Sequence, residues 1–437
     1  MLYRNYTMKK KKSQEEYQAS FIVPEDTIVS LPFESLEGSK FRNADGKFQQ
    51  LNYKDFKFGV GEVLELLPER DADFDIKKNL SVQFADVYQD LAVNETDGKL
   101  CKRWWRRVKQ VRGCNNYMET SNDRIYRAFF CKVRLCPLCS WRRSLKITMH
   151  VREILTAMFN DNSDYEFLFA TFTIPNVRPE CLKPKMQQML KAWRKMTHEG
   201  TRTSDAKRFN ASILGWYRGL EVTRNTDKWL YMRDAQGNFV YTGKGKRIPI
   251  VDDNGNKIPN PWYNTYHPHF HCIFVVDKRY FKDGYISRDE FLRMWQRAMN
   301  DPTITQVDIR KCKPNKKLLN SPEFQKNFSP SELQALAIVS SVTEAAKYTV
   351  KTDDYILSPE ATRTLDIALE RRQLIGFGGI MSDYRNRLSL DDEIDGDLLT
   401  NGATEIEKDA VKKSFAFHVG WGHYIRIDNI GKKSDDT

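Results

Sequence analysis

The sequence predicts an α+β protein in which helices flank a central antiparallel β-sheet, with a small cysteine-rich basic lobe earlier in the chain. Three observations support this fold class. Helical and strand patterns alternate through about residues 165–380, with hairpin-like links between strands. Residues 266–276 begin with alternating histidines and end in an unbroken apolar run, which is typical of a buried strand. Five cysteines lie among basic and aromatic residues between 101 and 146.

Composition divides the 437-residue chain into four predicted regions. Residues 1–90 are polar and of mixed charge, and we assign no role to them. Residues 91–160 are expected to form the basic, cysteine-rich lobe, and residues 161–385 the sheet domain. Residues 386–437 hold an acidic linker followed by a C-terminal strand near 415–419. A chain of this length suffices for roughly two to four domains.

The predicted strands are runs of β-branched, aromatic and other apolar residues that end at turn signals. In chain order they lie at 167–173, 216–223, 266–276 and 303–311. A long connecting segment with turn-forming stretches such as 252–255 precedes the histidine strand. The last strand alternates polar and apolar residues, which predicts the edge of the sheet.

Helices are predicted where apolar residues recur every three or four positions. Such patterns cover 140–158 and 182–193, and a third starts after Ser287, which forms a capping box with Glu290. A long helix is predicted from 331 to at least 351. Together with the strands, these helices suffice to cover both faces of one sheet.

Three of the seven histidines alternate along the strand at 266–276. Side chains two residues apart in a strand project to the same face, so His269 and His271 lie side by side. Two imidazoles on a rigid strand are half of a divalent metal site. The competing interpretation is a half-exposed strand with ordinary surface histidines.

Glu221 is the candidate third ligand, because it is an acidic residue flanked by apolar ones on a predicted strand. His267 shares the alternation of the other two histidines and is a rival for this role. A salt bridge to Arg218 or Arg224 would also explain a buried Glu221. Two imidazoles and a carboxylate with positions left open suit Mn²⁺ or Mg²⁺ acting on a phosphodiester.

The long predicted helix carries Glu344, Tyr348 and Lys351 on one stripe, since each residue advances about 100°. A solvated Glu–Lys face with a packed tyrosine is the alternative. Combined with a metal site, the stripe suggests chemistry. A phenol with an ordinary pKa near ~10 is a weak nucleophile, and a neighbouring cation favours its phenolate. Its attack on DNA would leave a 5′-phosphotyrosyl link and a free 3′-hydroxyl.

Segments 169–176, 267–271 and 344–351 together resemble the three ordered motifs of the HUH endonucleases. The residues of these motifs are most similar to those of the rolling-circle replication initiators of small Gram-positive plasmids, which use one catalytic tyrosine. The resemblance covers about residues 100–380. It implies an HUH nuclease domain in which Tyr348 nicks DNA, His269 and His271 bind the metal, and Lys351 orients the phosphate or the phenol. It also implies that Glu344 activates water when replication terminates.

The cysteines at 114, 131, 136 and 139 are spaced by sixteen, four and two residues, as in a tetrahedral Zn²⁺ site. Such a structural site would hold together a segment that is poor in apolar residues. The resemblance extends through segment 130–137. Cys101 is an alternative to Cys114, and four unligated thiols are the competing interpretation. The predicted zinc ligands are therefore Cys114, Cys131, Cys136 and Cys139.

The chain has 70 Lys and Arg against 58 Asp and Glu, a net charge of +12, which suits a polyanionic partner. Cations with interleaved aromatic residues in the cysteine-rich lobe indicate DNA binding. A solvated basic surface with buried tryptophans is the alternative. The arginines expected to contact DNA are Arg103, Arg106, Arg107, Arg134, Arg142 and Arg143.

These patterns predict a metal-dependent nickase that initiates and terminates rolling-circle plasmid replication. Its expected partners are origin DNA, single-stranded or in a hairpin at the nick site, and the host helicase and DNA polymerase. We expect a cytoplasmic protein, because no secretory signal or membrane span is evident in the sequence. The alternatives are a single-tyrosine HUH transposase, a zinc-containing DNA-binding regulator without enzymatic activity, and a metallohydrolase of small phosphoesters.

Overall fold

The computed structural model describes residues 40–42, 48–50, 67, 71–121, 124–198, 200, 202–341, 356, 358–390, 398–399 and 412–427. The chain divides into two compact units. The cysteine unit comprises Met1–Cys139 and Leu399–Thr437, and the sheet unit comprises Ser140–Leu398. The region boundaries expected at 90, 160 and 385 stay predictions.

Helices and antiparallel strands alternate in both units, which confirms the predicted α+β class. The strands are β1 Lys40–Arg42, β2 Phe48–Gln50, β3 Tyr117–Ser121, β4 Arg124–Ala128, β5 Glu166–Thr173, β6 Gly215–Arg224, β7 Tyr266–Val276, β8 Val307–Lys311, β9 Ile375–Gly379, β10 Lys412–His418 and β11 His423–Arg426. The helices are α1 Ala72–Asn94, α2 Gly98–Arg112, α3 Pro137–Asp161, α4 Pro179–Thr197, α5 Ser204–Ser212, α6 Arg288–Met299, α7 Lys316–Leu319, α8 Pro322–Asn327, α9 Pro330–Ser341, α10 Pro359–Leu369 and α11 Ile380–Arg387. Among the described helices, none combines the length and apolar character that crossing a bilayer requires.

The sheet unit is built on a five-stranded sheet in the order β8-β5-β7-β6-β9, with every neighbouring pair antiparallel. The histidine strand β7 is central, which explains its unbroken apolar second half. Strand β8 is at the edge, as its alternating sequence predicts. The register pairs His269 with Glu221 on one side and His271 with Thr171 on the other.

The two faces of this sheet pack against different helices. On one face, Phe169 and Ile273 pack with apolar residues of α3 and with Ile338 of α9. The opposite face is aromatic, where Phe172 contacts Trp295 of α6 with ring centroids 5.5 Å apart. Because strand side chains alternate between faces, the odd-numbered residues of β7, including His269 and His271, share the face that α3 and α9 cover.

The start of α6 confirms one half of the capping box predicted for Ser287 and Glu290. The Ser287 hydroxyl accepts a hydrogen bond from the Glu290 backbone N–H, which begins α6 as expected. The Glu290 carboxylate does not complete a capping box in the usual way; it accepts from Arg208 Nε at 3.0 Å. Helices α3 and α4 confirm the predictions at 140–158 and 182–193. The helix predicted from 331 is described as α9 only to Ser341.

The cysteine unit combines α1 and α2 with a four-stranded antiparallel sheet in the order β11-β10-β3-β4. Between the helices, Tyr88 stacks on the fully buried Trp104 with ring centroids 6.0 Å apart. The predicted C-terminal strand is β10, which pairs with β3 although the two lie far apart in sequence. Helix α1 is an element that the sequence analysis did not predict.

Candidate functional site

Glu221, His269 and His271 converge in the sheet unit on the face that α3 and α9 cover. The His271 Nε2 atom lies 3.1 Å from His269 Nε2 and 3.1 Å from Glu221 Oε2. The third side of this donor triangle, from His269 Nε2 to Glu221 Oε2, measures 3.5 Å. Cross-strand pairing of Glu221 with His269 creates this arrangement, and all three residues are buried.

Hydrogen bonds on the outer nitrogens orient both imidazoles. His269 Nδ1 donates to the His267 carbonyl oxygen at 3.0 Å, because a carbonyl can only accept. Nδ1 therefore carries a proton, and in the neutral ring Nε2 presents its lone pair to the triangle. His271 Nδ1 lies 3.2 Å from Thr171 Oγ1, which can accept the corresponding proton. Such outer partners are typical of metal-binding histidines.

The carboxylate of the triangle is held in its charged form. Burial alone would raise the pKa of Glu221, but in the metal-free site His269 and His271, which donate to the carboxylate whenever their Nε2 atoms carry a proton, outweigh burial and lower the pKa to about 2. A buried negative charge beside two imidazole nitrogens that can act as ligands favours a cation between them. Adjacent ligands of an octahedral ion with bonds of about 2.1 Å are about 3.0 Å apart, close to the triangle's sides. The donor set therefore fits Mn²⁺ or Mg²⁺ with positions left open.

The rival interpretations of Glu221 find less support. His267 lies outside the group of converging donors among the described residues, and burial lowers its pKa to about 4. Arg218 projects to the opposite face of the sheet, where its guanidinium lies 4.6 Å from the Phe270 ring centroid. Arg224 Nε donates to Asn264 Oδ1 at 2.9 Å.

The predicted nucleophile and its neighbours, Tyr348, Glu344 and Lys351, lie outside the described residues. Tyr355, to which nicking retained by Tyr348→Phe would reassign the nucleophile, lies outside them as well. Their assignment stays a prediction. The described part of the same predicted helix is α9, whose Ile338 packs on the face of the sheet that carries the donor triangle.

Four cysteines of the cysteine unit converge as the spacing predicts: Cys114, Cys131, Cys136 and Cys139. The Cys139 sulfur lies 3.5 Å from that of Cys114 and 3.6 Å from that of Cys131. In a tetrahedral Zn²⁺ site with Zn–S bonds of about 2.3 Å, the sulfurs are about 3.8 Å apart. Cys101, the alternative ligand, lies outside this group. The donor set fits a closed structural zinc site.

The charges around the cysteines also fit a cation. Burial raises the pKa of Cys114 and Cys131. For Cys136, hydrogen bonds from the other thiols outweigh burial and lower the pKa. Four thiolates at these distances would repel one another, and a metal ion between them would relieve that repulsion.

A fully buried lysine lies next to this group. Lys78 Nζ donates to the carbonyl oxygens of Arg112 and Cys114, each at 2.8 Å, and to Asn116 Oδ1 at 2.6 Å. Burial lowers the pKa of Lys78 to about 8, and the nearby cysteine sulfurs oppose that shift. A Zn²⁺ ion with four thiolates carries a net charge of −2, which this ammonium would partly balance.

Three residues with these supporting roles were missed by the sequence analysis. Thr171 contacts His271, Lys78 adjoins the cysteines, and Ser81 Oγ lies 3.5 Å from the Cys136 sulfur. Only the strand register reveals Thr171. For Lys78 and Ser81 the available signal was polar residues among the apolar residues of one helical face.

One face of α2 forms an exposed basic stripe. It consists of the adjacent Trp105 and Arg106 together with Lys102 and Lys109, each of which is three or four residues from that pair. Trp105 is 41% exposed. The neighbouring Trp104 is instead part of the core, where it donates to Glu95. Trp104 therefore fits the interpretation in which the tryptophans are buried, whereas Trp105 fits the interpretation in which exposed aromatic residues bind DNA.

The six predicted DNA-binding arginines differ in exposure. Arg106 is exposed, whereas Arg103, Arg107 and Arg134 are half-buried. Arg142 and Arg143 are 7% and 8% exposed, and Arg142 Nε donates to the Leu398 carbonyl at 2.9 Å. Such burial does not favour DNA contact by these last two residues, so their assignment stays a prediction without structural support.

A family model described as "Replication protein" matches residues 122–425. Similar proteins include "Protein rep" of Bacillus amyloliquefaciens, 31% identical over 316 residues, which are 70% of this chain and 79% of that protein. "Protein rep" of Streptococcus pneumoniae serotype 2 (strain D39 / NCTC 7466) is 25% identical over 339 residues, 76% of this chain and 84% of that protein. A "Replication protein" of Staphylococcus aureus is 23% identical over 285 residues, 63% of this chain and 95% of that protein. No solved structure matches the chain significantly.

Proposed function

Since the chain belongs to the replication protein family, we propose that it initiates rolling-circle replication of a plasmid by nicking one strand at the origin. Membership confirms the resemblance to plasmid replication initiators that the three motifs indicate. The observation that supports nicking is the buried donor triangle of Glu221, His269 and His271 on an antiparallel sheet. We further propose that this sheet unit has the HUH nuclease fold.

The triangle would hold Mn²⁺ or Mg²⁺ and bring it to the scissile phosphate. When bound, the ion supplies Lewis acidity that polarises the phosphoryl oxygens. The two histidines keep their Nε2 lone pairs available because their Nδ1 protons are engaged elsewhere. Glu221 contributes the negative charge that makes the site selective for a cation.

Tyr348 is the proposed nucleophile. Its phenol oxygen forms a bond to phosphorus, the bond from phosphorus to the 3′ oxygen breaks, and that oxygen takes up a proton. Lys351 favours the phenolate and orients the phosphate. The product is a 5′-phosphotyrosyl link with a free 3′-hydroxyl, which a host DNA polymerase extends while a helicase unwinds the duplex. At termination Glu344 activates water to release the last phosphodiester.

The cysteine unit would supply DNA binding. Zn²⁺ in the four-cysteine site fixes the segment that follows α2, and the basic stripe on α2 offers cations and one exposed indole. Cations neutralise phosphates, and an indole stacks on an unpaired base. Origin DNA, single-stranded or extruded as a hairpin, is the proposed substrate.

Incubation with a fluorescent origin oligonucleotide and Mn²⁺ tests this function. The wild-type protein should give a covalent adduct that survives denaturing electrophoresis. Tyr348→Phe should abolish the adduct and keep DNA binding, whereas the matched variant Tyr355→Phe should form it normally. A regulator without enzymatic activity would give no adduct from any variant. A hydrolase of small phosphoesters would keep its activity in Tyr348→Phe, and either result contradicts the proposal.

A further inference from the structure

A cavity of about 870 Å³ opens in the sheet unit on the face opposite the donor triangle. Helix α4, strands β6 and β9, and the segment after α10 form its walls. Trp216 and Arg218 line it, and their side chains project away from the face that carries Glu221 because they are an odd number of residues from it. Nothing in the proposed nicking chemistry uses this cavity.

The walls of the cavity are strongly cationic. Its charged lining residues are Lys191, Arg194, Arg218, Arg371 and Arg372, and none of the described residues that line it is Asp or Glu. Cations clustered along a wall to which no described acidic residue contributes repel one another, and a concave wall focuses their field. The cavity therefore attracts an anion.

Buried donors are available at this wall. Arg218 is 2% exposed, and its Nη2 donates to the Gln373 carbonyl at 3.3 Å. Within the described part of the chain, its Nε and Nη1 have no hydrogen-bond partner, and neither has the buried Trp193 Nε1. Burial lowers the pKa of Arg218 to about 10, and Arg194 adds to this shift. Unsatisfied buried donors are costly, and phosphate oxygens would satisfy them.

Two glycines of β9 make room for the side chains at this wall. A Cβ atom at Gly378 would lie 2.3 Å from the Trp216 ring, and one at Gly376 would lie 3.2 Å from Arg218 Nη2. Register pairs Gly378 with Trp216 and Gly376 with Arg218. The Gly-x-Gly pattern at 376–378 thus allows a half-buried indole and a buried guanidinium to lie side by side over the sheet.

We propose that this cavity binds one nucleotide of single-stranded DNA. Its phosphate would be held by Arg218 with Arg194 and Arg371, and its unpaired base would lie against Trp216. The volume is within the range of about 300–1,000 Å³ that small-molecule sites occupy. DNA is the expected source of the nucleotide because the chain is a replication protein. The inference goes beyond the proposed function, since it needs neither the metal nor Tyr348.

Binding of 5′-dTMP without added Mn²⁺ or Mg²⁺ tests the inference, measured by calorimetry or by tryptophan fluorescence. We expect dTMP to bind, thymidine without its phosphate to bind far more weakly, and the hexanucleotide (dT)6 to displace dTMP. The double variant Arg194→Ala/Arg371→Ala changes two exposed residues and should weaken dTMP at least about tenfold, because each charged hydrogen bond contributes that much or more. Arg293→Ala, an exposed arginine on α6, is the matched control and should bind normally.

Several results would overturn the inference. Undetectable binding of dTMP to the wild type would do so. Equal dTMP affinity in the double variant and the wild type would do so as well. Failure of (dT)6 to displace dTMP would indicate a site for free nucleotides. His271→Ala should keep its dTMP affinity, and a loss there would locate the nucleotide at the donor triangle. A missing tyrosyl adduct would contradict the proposed nicking function and leave these binding results unaffected.

Discussion

Thr171→Val offers a specific test of the donor triangle because it removes one hydroxyl and keeps the shape of the side chain. Thr171 Oγ1 lies 3.2 Å from His271 Nδ1, directly across the β5–β7 pair. Without this acceptor, the Nδ1 proton of His271 is left unsatisfied or moves to Nε2. A proton on Nε2 occupies the lone pair that faces Glu221, so the metal competes with it.

The expected magnitude follows from that single contact. Loss of such a supporting hydrogen bond costs about 10–100-fold in metal affinity. At about 1.4 kcal/mol per tenfold, this equals about 1.4–2.8 kcal/mol. The same range applies to one buried donor left without its partner, about 1–3 kcal/mol. We therefore expect the Kd for Mn²⁺ to rise about 10–100-fold in Thr171→Val.

The assay is a Mn²⁺ titration in which electron paramagnetic resonance measures the free ion. Thr173→Val is the matched control: it lies on the same strand and face, is equally half-buried, and its hydroxyl donates to the Gln306 carbonyl at 3.2 Å. This control should bind Mn²⁺ as the wild type does, and His271→Ala should lose binding. Wild-type affinity in Thr171→Val, or an equal loss in Thr173→Val, would refute the role of the hydroxyl.

Three further predictions concern the other proposed residues. Cys139→Ser should lose stoichiometric zinc by elemental analysis and unfold its unit, because structural zinc contributes about 10–16 kcal/mol against a usual domain stability of about 5–15 kcal/mol. Cys181→Ser changes an exposed thiol outside the cluster and should keep both its zinc and its folded structure. Zinc retained by Cys139→Ser would contradict the proposed zinc site. Lys78→Met should lower the melting temperature and speed zinc release to a chelator, since three acceptors, two of them buried, lose their donor. Unchanged release would exclude a charge-balancing role. Glu344→Ala should form the tyrosyl adduct but fail to release DNA at termination, and normal release would remove its assigned role.

The sequence predicted four of the five strands of the sheet unit, because β5, β6 and β7 are largely apolar runs with clear turn signals and β8 alternates polar and apolar residues. The short, glycine-rich β9 lacks such a pattern and was not predicted. The alternation of His269 and His271 is a local property of one strand, so their shared face needed no tertiary information. Glu221 was a less certain candidate, because its pairing with His269 depends on the register between two strands separated by a long connecting segment. Only coordinates distinguish it from His267.

Helix α1 shows where pattern reading fails. Its buried face contains Lys78 and Ser81, which interrupt the apolar periodicity. Both are buried because they contact the cysteine site, which lies elsewhere in the sequence. Polar residues that contact a site distant in the sequence therefore interrupt the apolar pattern from which the helix would be predicted. The burial of Arg142 and Arg143 is a similar case, since charge in a sequence does not specify exposure.

Mass spectrometry of the protein–oligonucleotide adduct tests the central claim most directly. After reaction with origin DNA and Mn²⁺, proteolysis and fragmentation identify the residue that carries the 5′-phosphate. The proposed mechanism predicts a single modified peptide with the nucleotide on Tyr348, and no such peptide when Glu221, His269 and His271 are replaced by alanine. A nucleotide on any other residue, or an adduct that forms without the donor triangle, would contradict it.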